Sequence, residues 1–378
     1  MAAPRQFPTT YQASREDFLG DFQKIRERWP GARLQSQLIH PEEGLQIDWI
    51  AADPSGAPQK VLIITSGVHG VEGFVGSRMR ALFMDEFLDE LDPENTGLYL
   101  VHALNPWGMK NQRRVTRNNV DLNRNFVLEK EDFQGEINPE YQLYDHVLNP
   151  DRPLRPLWQE VPGVIGQVTV NLLRAGVKSL RSAVLQGQRV NPAGLYFTGD
   201  GYEPETRVVM ALIKEVFSKY QDALLIDMHT GYGPKYQMCI VNSPEEEREA
   251  EQLVGEFQYP LIRKADPEQF YAMQGDMVDW FYKYRRSAGL EGKFYGAGFE
   301  FGTIGGSIPH EFISLWNMIF ENQAYWKGSL KGETKTRVEK ILLEMYFPTE
   351  EKWREKALAD CRLALRGVLS QEGYLAQE

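Results

Sequence analysis

Val61-Leu-Ile-Ile-Thr-Ser-Gly-Val-His-Gly-Val-Glu72 opens with four consecutive aliphatic residues and closes on a glycine turn and a His-x-x-Glu pair. The run from Val61 to Ile64 is too short for a helix and shows no polar alternation, which is the pattern of a strand buried on both faces. Ala223-Leu-Leu-Ile226 repeats the pattern and runs into Asp227-Met-His229, while Gly97-Leu-Tyr-Leu-Val101 is a third strand candidate. Helical periodicity follows the strands from Ser77 to Leu91 and from Glu203 to Phe217, the latter with Pro204 at its first helical position. Strands alternating with helices predict an α/β fold, a mixed central β-sheet covered by helices on both faces. Ligands of such sheets collect at the C-terminal ends of the strands, where both histidines fall.

Outward from this core, Ser14-Arg-Glu-Asp17 has the form of a capping box, and Phe18, Phe22, Ile25 and Trp29 then recur at helical spacing up to Pro30. The stretch Glu129 to Leu195 reads as an insertion with its own helix, Val164 to Gln188, whose apolar face carries Leu172, Leu173, Val177, Leu180 and Val184. From Glu350 on, Trp353, Ala357, Cys361 and Leu365 mark a last helix packed on the outside. The expected organisation is one catalytic domain over 1–349, with the insertion at about 129–195, and a C-terminal helix over 350–378.

The 378 residues carry 42 Lys and Arg against 53 Asp and Glu, a net charge of −11, so no global field draws in phosphate backbones or anionic lipid. Nucleic acid and membrane partners are therefore not expected, and no aliphatic run approaches the ~20 residues that span a bilayer. The start of the chain lacks a basic segment followed by an apolar one, and its two cysteines, Cys239 and Cys361, form no redox or metal motif. A cytoplasmic protein in a reducing compartment is expected.

His69 and Glu72, three apart after a buried strand, can turn toward one cation, and zinc takes this kind of nitrogen and carboxylate set. A third ligand must come from His40, His102, His146, His229 or His310. His229 is the natural choice, because it alone ends a second strongly apolar strand and precedes the flexible Thr230-Gly231. His102 lies within a strand and reads as a core histidine, whereas His40, His146 and His310 occupy loop-like, exposed contexts. Further along stands Asp121-Leu-Asn-Arg-Asn-Phe126, preceded by Arg113, Arg114 and Arg117.

His69-Gly-Val-Glu72, Asp121-Leu-Asn-Arg-Asn-Phe126 and Asp227-Met-His229, in this order, resemble the zinc carboxypeptidase (carboxypeptidase A-like) superfamily, nearest to an uncharacterised bacterial branch of it. The resemblance runs from about Val61 to Thr303, interrupted by the insertion. It implies one zinc ion per chain, held by His69, Glu72 and His229 at the C-terminal ends of strands. It also implies that Asn123 and Arg124 grip a terminal carboxylate of the substrate, a task suited to a planar guanidinium. A carbonyl-polarising arginine seven residues before the Asp falls on Arg114, with Arg113 and Arg117 as rivals. Tyr271, eight residues before Asp279-Trp280, matches a substrate-clamping tyrosine, and Gly298-Phe-Glu-Phe-Gly302 matches the strand of the catalytic glutamate, Glu300. Val278 corresponds to the floor of the side-chain pocket, where a residue without charge favours neutral terminal side chains. The function implied is a zinc-dependent metallopeptidase, a carboxypeptidase or peptide amidase acting next to a free carboxylate. The alternative is an N-acyl amino acid deacylase of the aspartoacylase or succinylglutamate desuccinylase kind, and a third is a non-catalytic binding protein. The expected partners are a peptide or N-acyl amino acid substrate and, in a homo-oligomer, other copies of the chain.

Overall fold

The structure, a computed structural model, describes residues 5–135, 137–167, 186–265 and 274–375. Its strands are β1 (Arg33–His40), β2 (Leu45–Ala52), β3 (Lys60–Ser66), β4 (Thr96–His102), β5 (Asp222–Gly231), β6 (Met238–Asn242), β7 (Ile262–Lys264) and β8 (Phe294–Gly302). They form one sheet in the order β1-β2-β4-β3-β5-β8-β6-β7. The inner four, β4, β3, β5 and β8, run parallel, and antiparallel pairings of β2 with β4 and of β6 with β8 make the sheet mixed, as expected. The aliphatic run Val61 to Ile64 serves both faces: Leu62 and Ile64 enter one core and Val61 and Ile63 the other, the period of two that a strand imposes.

The first core lies under α1 (Tyr11–Arg28) and α2 (Gly73–Glu86), together with two later helices described below. Helix α1 starts earlier than the Ser14 box suggests, because Thr10 accepts a hydrogen bond from Ala13 N and caps it. Ser14 is consumed elsewhere, 2.6 Å from Ser77 Oγ and 2.8 Å from His102 Nε2. Helix α2 begins four residues before Ser77, since the tight turn Gly70–Glu72 feeds straight into it. After it come the short α3 (Pro106–Lys110), then α4 (Tyr141–Leu148) in the insertion and α5 (Pro204–Lys219). Helices α6 (Ala250–Phe257) and α7 (Met277–Ser287) follow, α6 on the first face and α7 with α5 on the second. Helices α8 (Ile308–Lys327), α9 (Gly332–Tyr346) and α10 (Glu351–Gln371) complete the chain. Trp353, Ala357, Cys361 and Leu365 of α10 are buried in the first core, and Trp353 Nε1 donates to Gly302 O at 2.7 Å.

Residues 157–167 of the insertion are helical, and the body of the expected helix, 168–185, lies outside the described residues. Its expected end is different. Gly187 has φ +85° and Gln188 bridges to Phe197, so the chain there is extended. The insertion packs Tyr141, Tyr144 and Leu148 against Leu315, Ile319 and Phe320 of α8 and Val338 of α9, forming a third, smaller core. Among the remaining histidines, His102 is buried as expected, but His40 is buried too, with Nε2 3.4 Å from Glu205 Oε1. That contact forms because the end of β1 tucks under the start of α5. His146 and His310 belong to α4 and α8, not to loops.

Candidate metal centre

The His69–Glu72 turn is shaped by its glycines and by its neighbours. Gly67 leaves β3 with φ +76°, a conformation that suits glycine. Gly70 passes so close to α3 that a Cβ would stand 2.2 Å from the backbone of Gly108. The turn is pinned by Gly70 N donating to Arg114 O and Val71 N to Arg113 O, at 3.1 and 3.0 Å. His69 and Glu72 therefore meet the end of β5 in a fixed attitude.

His69 Nδ1 lies 2.9 Å from Glu72 Oε1, and His229 Nδ1 lies 3.3 Å from Glu72 Oε2. All three residues are buried, and their ligand atoms lie within 4.8 Å of one another. Atoms bound at 2.0–2.1 Å to a tetrahedral ion stand roughly 3.3 Å apart, so this donor set fits a metal ion with little movement. The opposite ring nitrogens are also engaged. His229 Nε2 is 2.6 Å from Asp227 Oδ2, and His69 Nε2 is 3.1 Å from Asp121 Oδ1. Asp227 in turn accepts from Thr65 Oγ1 at 2.6 Å, and Glu72 Oε2 accepts from Thr230 N at 3.0 Å. Such outer carboxylates fix ring orientation and raise ligand basicity.

Electrostatics follow the packing. Burial alone would raise the Glu72 carboxyl, but the two flanking imidazoles overcome it and hold it at about 2. Burial would lower His229, yet Asp227 and Glu72 lift it well above the ordinary histidine range. Asp121 is buried but held well below the usual carboxylate range, by Arg114 first and then Arg124 and His69.

Of the three arginines only Arg114 reaches this centre. Its Nη1 donates to Asp121 and its Nη2 lies 2.7 Å from His69 Nε2. Arg113 is turned away onto Glu321 at 2.7 Å, with its guanidinium 3.7 Å over the Tyr325 ring, and Arg117 pairs at the surface with Glu42. His69 Nε2 can serve only one neighbour at a time: protonated it donates to Asp121, unprotonated it accepts from Arg114.

Glu300 stands on β8 in register with His229. Its Oε1 accepts from Tyr232 N at 2.9 Å, and burial pushes its carboxyl up to about 7 against the pull of His229. Asn123 and Arg124 are buried beside Asp121, Arg124 Nη1 donating to Asn123 O at 3.0 Å. Asn123 also ties down the start of α7, accepting from Met277 N at 2.9 Å and donating to Asp276 Oδ2 at 2.7 Å. Val278 is buried in the second core, where a Cβ on Gly296 would stand 3.4 Å from its Cγ1. Tyr271 lies outside the described residues.

Sequence reasoning assigned no part to Asp227 or to Tyr346. Asp227 was visible in principle, since a residue two before His229 on a strand shares its face. Tyr346 had no such signal. It comes from α9, accepts a hydrogen bond from Thr230 Oγ1 at 2.7 Å, and packs its ring where a Cβ on Gly231 would be 2.9 Å away.

The sequence family described as "Protein of unknown function (DUF2817)" matches residues 7–360. The chain belongs to the DUF2817 family. No curated protein matches the sequence. Solved structures similar to this DUF2817 chain include bovine thrombin-activatable fibrinolysis inhibitor in complex with tick carboxypeptidase inhibitor. That structure is 14% identical, covers 89% of this chain and 98% of its own, and has a TM-score of 0.47. Carboxypeptidase A from Helicoverpa armigera is 13% identical, with 90% of this chain and 74% of its own covered and a TM-score of 0.47. Murein-tripeptide amidase MpaA from Escherichia coli O157 is 20% identical, with 77% and 92% covered and a TM-score of 0.37. Among the described residues no helix is long and apolar enough to cross a membrane.

Proposed function

We propose that this protein is a metal-dependent hydrolase of amide bonds that acts next to a free carboxylate, a metallocarboxypeptidase or peptide amidase with zinc as its metal. The observation that supports it most is the buried His69–Glu72–His229 group with Glu300 in register beside His229. The metal, one ion per chain, would be held by those three ligands and would act there as a Lewis acid on the substrate carbonyl and the attacking water. Glu300 is the general base: a carboxyl raised to about 7 takes a proton near neutrality and can then deliver it to the leaving amine. With His69 Nδ1 committed as a ligand, its Nε2 keeps a proton and donates to Asp121, which releases Arg114 Nη2 toward the developing oxyanion. Arg124 meets the substrate carboxylate with paired, charge-assisted bonds, and Asn123 spans from that carboxylate to the head of α7. Both cysteines are free and buried, which supports a place in the cytoplasm.

The same groups act on the amide and the carboxylate whatever the acyl part, so an N-acyl amino acid is the second reading. Metal analysis followed by a screen of free-C-terminal peptides against N-acyl amino acids separates the two. Activity on free peptides that is lost when the terminus is amidated is the expected result. Full metal content with no turnover of any amide would leave a binding protein instead.

A further inference from the structure

The face of the sheet that carries the metal centre extends past Glu300 onto two more strands. Register links His229, Glu300 and Cys239 in one row, and Asp227, Gly298, Val241 and Arg263 in the next. Register partners project to the same side, and rows two residues apart share a face. Strands spaced ~4.8 Å apart put the Arg263 backbone roughly 10 Å from Gly298. Between them lies half-buried Val241. Gly298 has no side chain, although among the described residues a Cβ there would meet nothing nearer than 3.6 Å, the His229 ring. Among the described residues no packing contact demands a glycine there, and its bare backbone lies beside both His229 and Glu300.

At the far side stands the guanidinium. Arg263 Nη1 donates to Tyr232 Oη at 3.1 Å, and Tyr232 N donates to Glu300 Oε1. The residue that holds the base therefore also places the arginine. Arg263 is half-buried, yet no carboxylate of a described residue lies within ion-pair distance of it. The adjacent Lys264 has Glu249 at 3.7 Å, and Arg248 has Glu246 at 2.9 Å. A half-buried guanidinium that donates to a phenol and meets no carboxylate among the described residues is ready to accept one.

We propose that Arg263 sets the substrate class of the site, receiving the side-chain carboxylate of a terminal glutamate or aspartate whose α-carboxylate is held at Arg124. This rests on the reading of the centre as a carboxylate-anchored amide hydrolase. It replaces the neutral preference expected from Val278, which lies buried at the base of the same face and supplies no charge of either sign. Terminal Lys and Arg are disfavoured by the like charge.

The test pairs two measurements on metal-loaded protein: kcat/KM for peptides ending in Glu, Leu or Lys, and calorimetric binding of N-acetyl-glutamate against N-acetyl-leucine. Wild type should favour Glu over Leu by about 10- to 100-fold, the range of a charged hydrogen bond, mainly through KM. Arg263→Met should bring that ratio toward one, and Arg263→Lys, a point charge without the fork, should keep part of it. A merely structural arginine behind Tyr232 and Glu300 would instead lower kcat for all substrates and leave the ratio unchanged, which overturns the proposal. So does a wild-type preference for Leu or Lys. If no amide is cleaved, the hydrolase reading fails, and the binding ratio alone still decides Arg263: tighter N-acetyl-glutamate lost in Arg263→Met supports it, and equal affinities sink it.

Discussion

Glu300 and Asp227 differ by environment more than by chemistry. Glu300 has one backbone donor and a carboxyl raised to about 7, whereas Asp227 is consumed by His229 and Thr65. A base works only unprotonated, so kcat/KM should fall as pH drops through an acid limb between the ordinary carboxylate range and about 7. A cation in the centre favours the carboxylate and moves the limb toward the lower end. In Glu300→Gln activity should fall at least ~10²-fold, with the limb gone and metal content unchanged. Loss of metal in that variant would make Glu300 a ligand. Asp227→Asn removes the charge behind His229 and should weaken metal binding about 10- to 100-fold in chelator competition. An unchanged affinity would reduce Asp227 to packing. Residue identities at these positions were legible in the chain, because each type has a narrow chemical use. Their partners were not: nothing in Arg113-Arg114 shows which guanidinium turns inward, and residues distant in the chain decide it, Glu321 for Arg113 and His69 for Arg114.

Elements show the same division. The buried strand β3 was plain from its aliphatic run, and α5 from Pro204. The start of α1 was misplaced because Ser14 has the chemistry of a cap but spends its hydroxyl on Ser77 and His102 across the core. Helix α10 matters to the site as well as to stability. Trp353 is 1% exposed and holds Gly302, two residues past Glu300 on β8. Trp353→Ala should cost about 3–5 kcal/mol in chemical denaturation. Its effect on kcat is also expected to be real, since the end of β8 loses its anchor. A loss under about 1 kcal/mol would show that the site's strand is held by the sheet alone.

At the scale of the molecule, the insertion, α8 and α9 form a layer with a core of its own, and that layer touches the centre at a few points. Tyr196, the residue that follows the insertion, has its ring 5.6 Å from the Arg114 guanidinium, and Tyr346 O of α9 accepts from Thr230 Oγ1. Removing part of the insertion should therefore change substrate preference more than metal affinity, and a deletion that alters neither would show it remote from the site. Metal binding itself should stabilise the whole fold, because the ligands come from the turn after β3 and from β5. At a free metal concentration a thousandfold above Kd the gain is about 4 kcal/mol. Chelator should lower Tm in wild type and leave His229→Ala unmoved, and an equal shift in both would mean that the metal sits elsewhere.

By itself the sequence determined the buried central strands β3, β4 and β5, the likeness of its motifs and the residue types of the centre. Runs such as Val61 to Ile64 have only one way to bury themselves, and His69, Glu72, His229 and Glu300 have few other uses in that order. Tertiary structure decided what depends on distant partners: Arg114 over Arg113, Asp121 and Asp227 behind the imidazoles, and α9 as the support of Thr230. It also decided that Arg263, with nothing in its neighbourhood of sequence to mark it, shares a face with Glu300. Pairing across β8, β6 and β7 joins residues far apart in the chain, and strand register is a property of the assembled sheet that no local pattern carries.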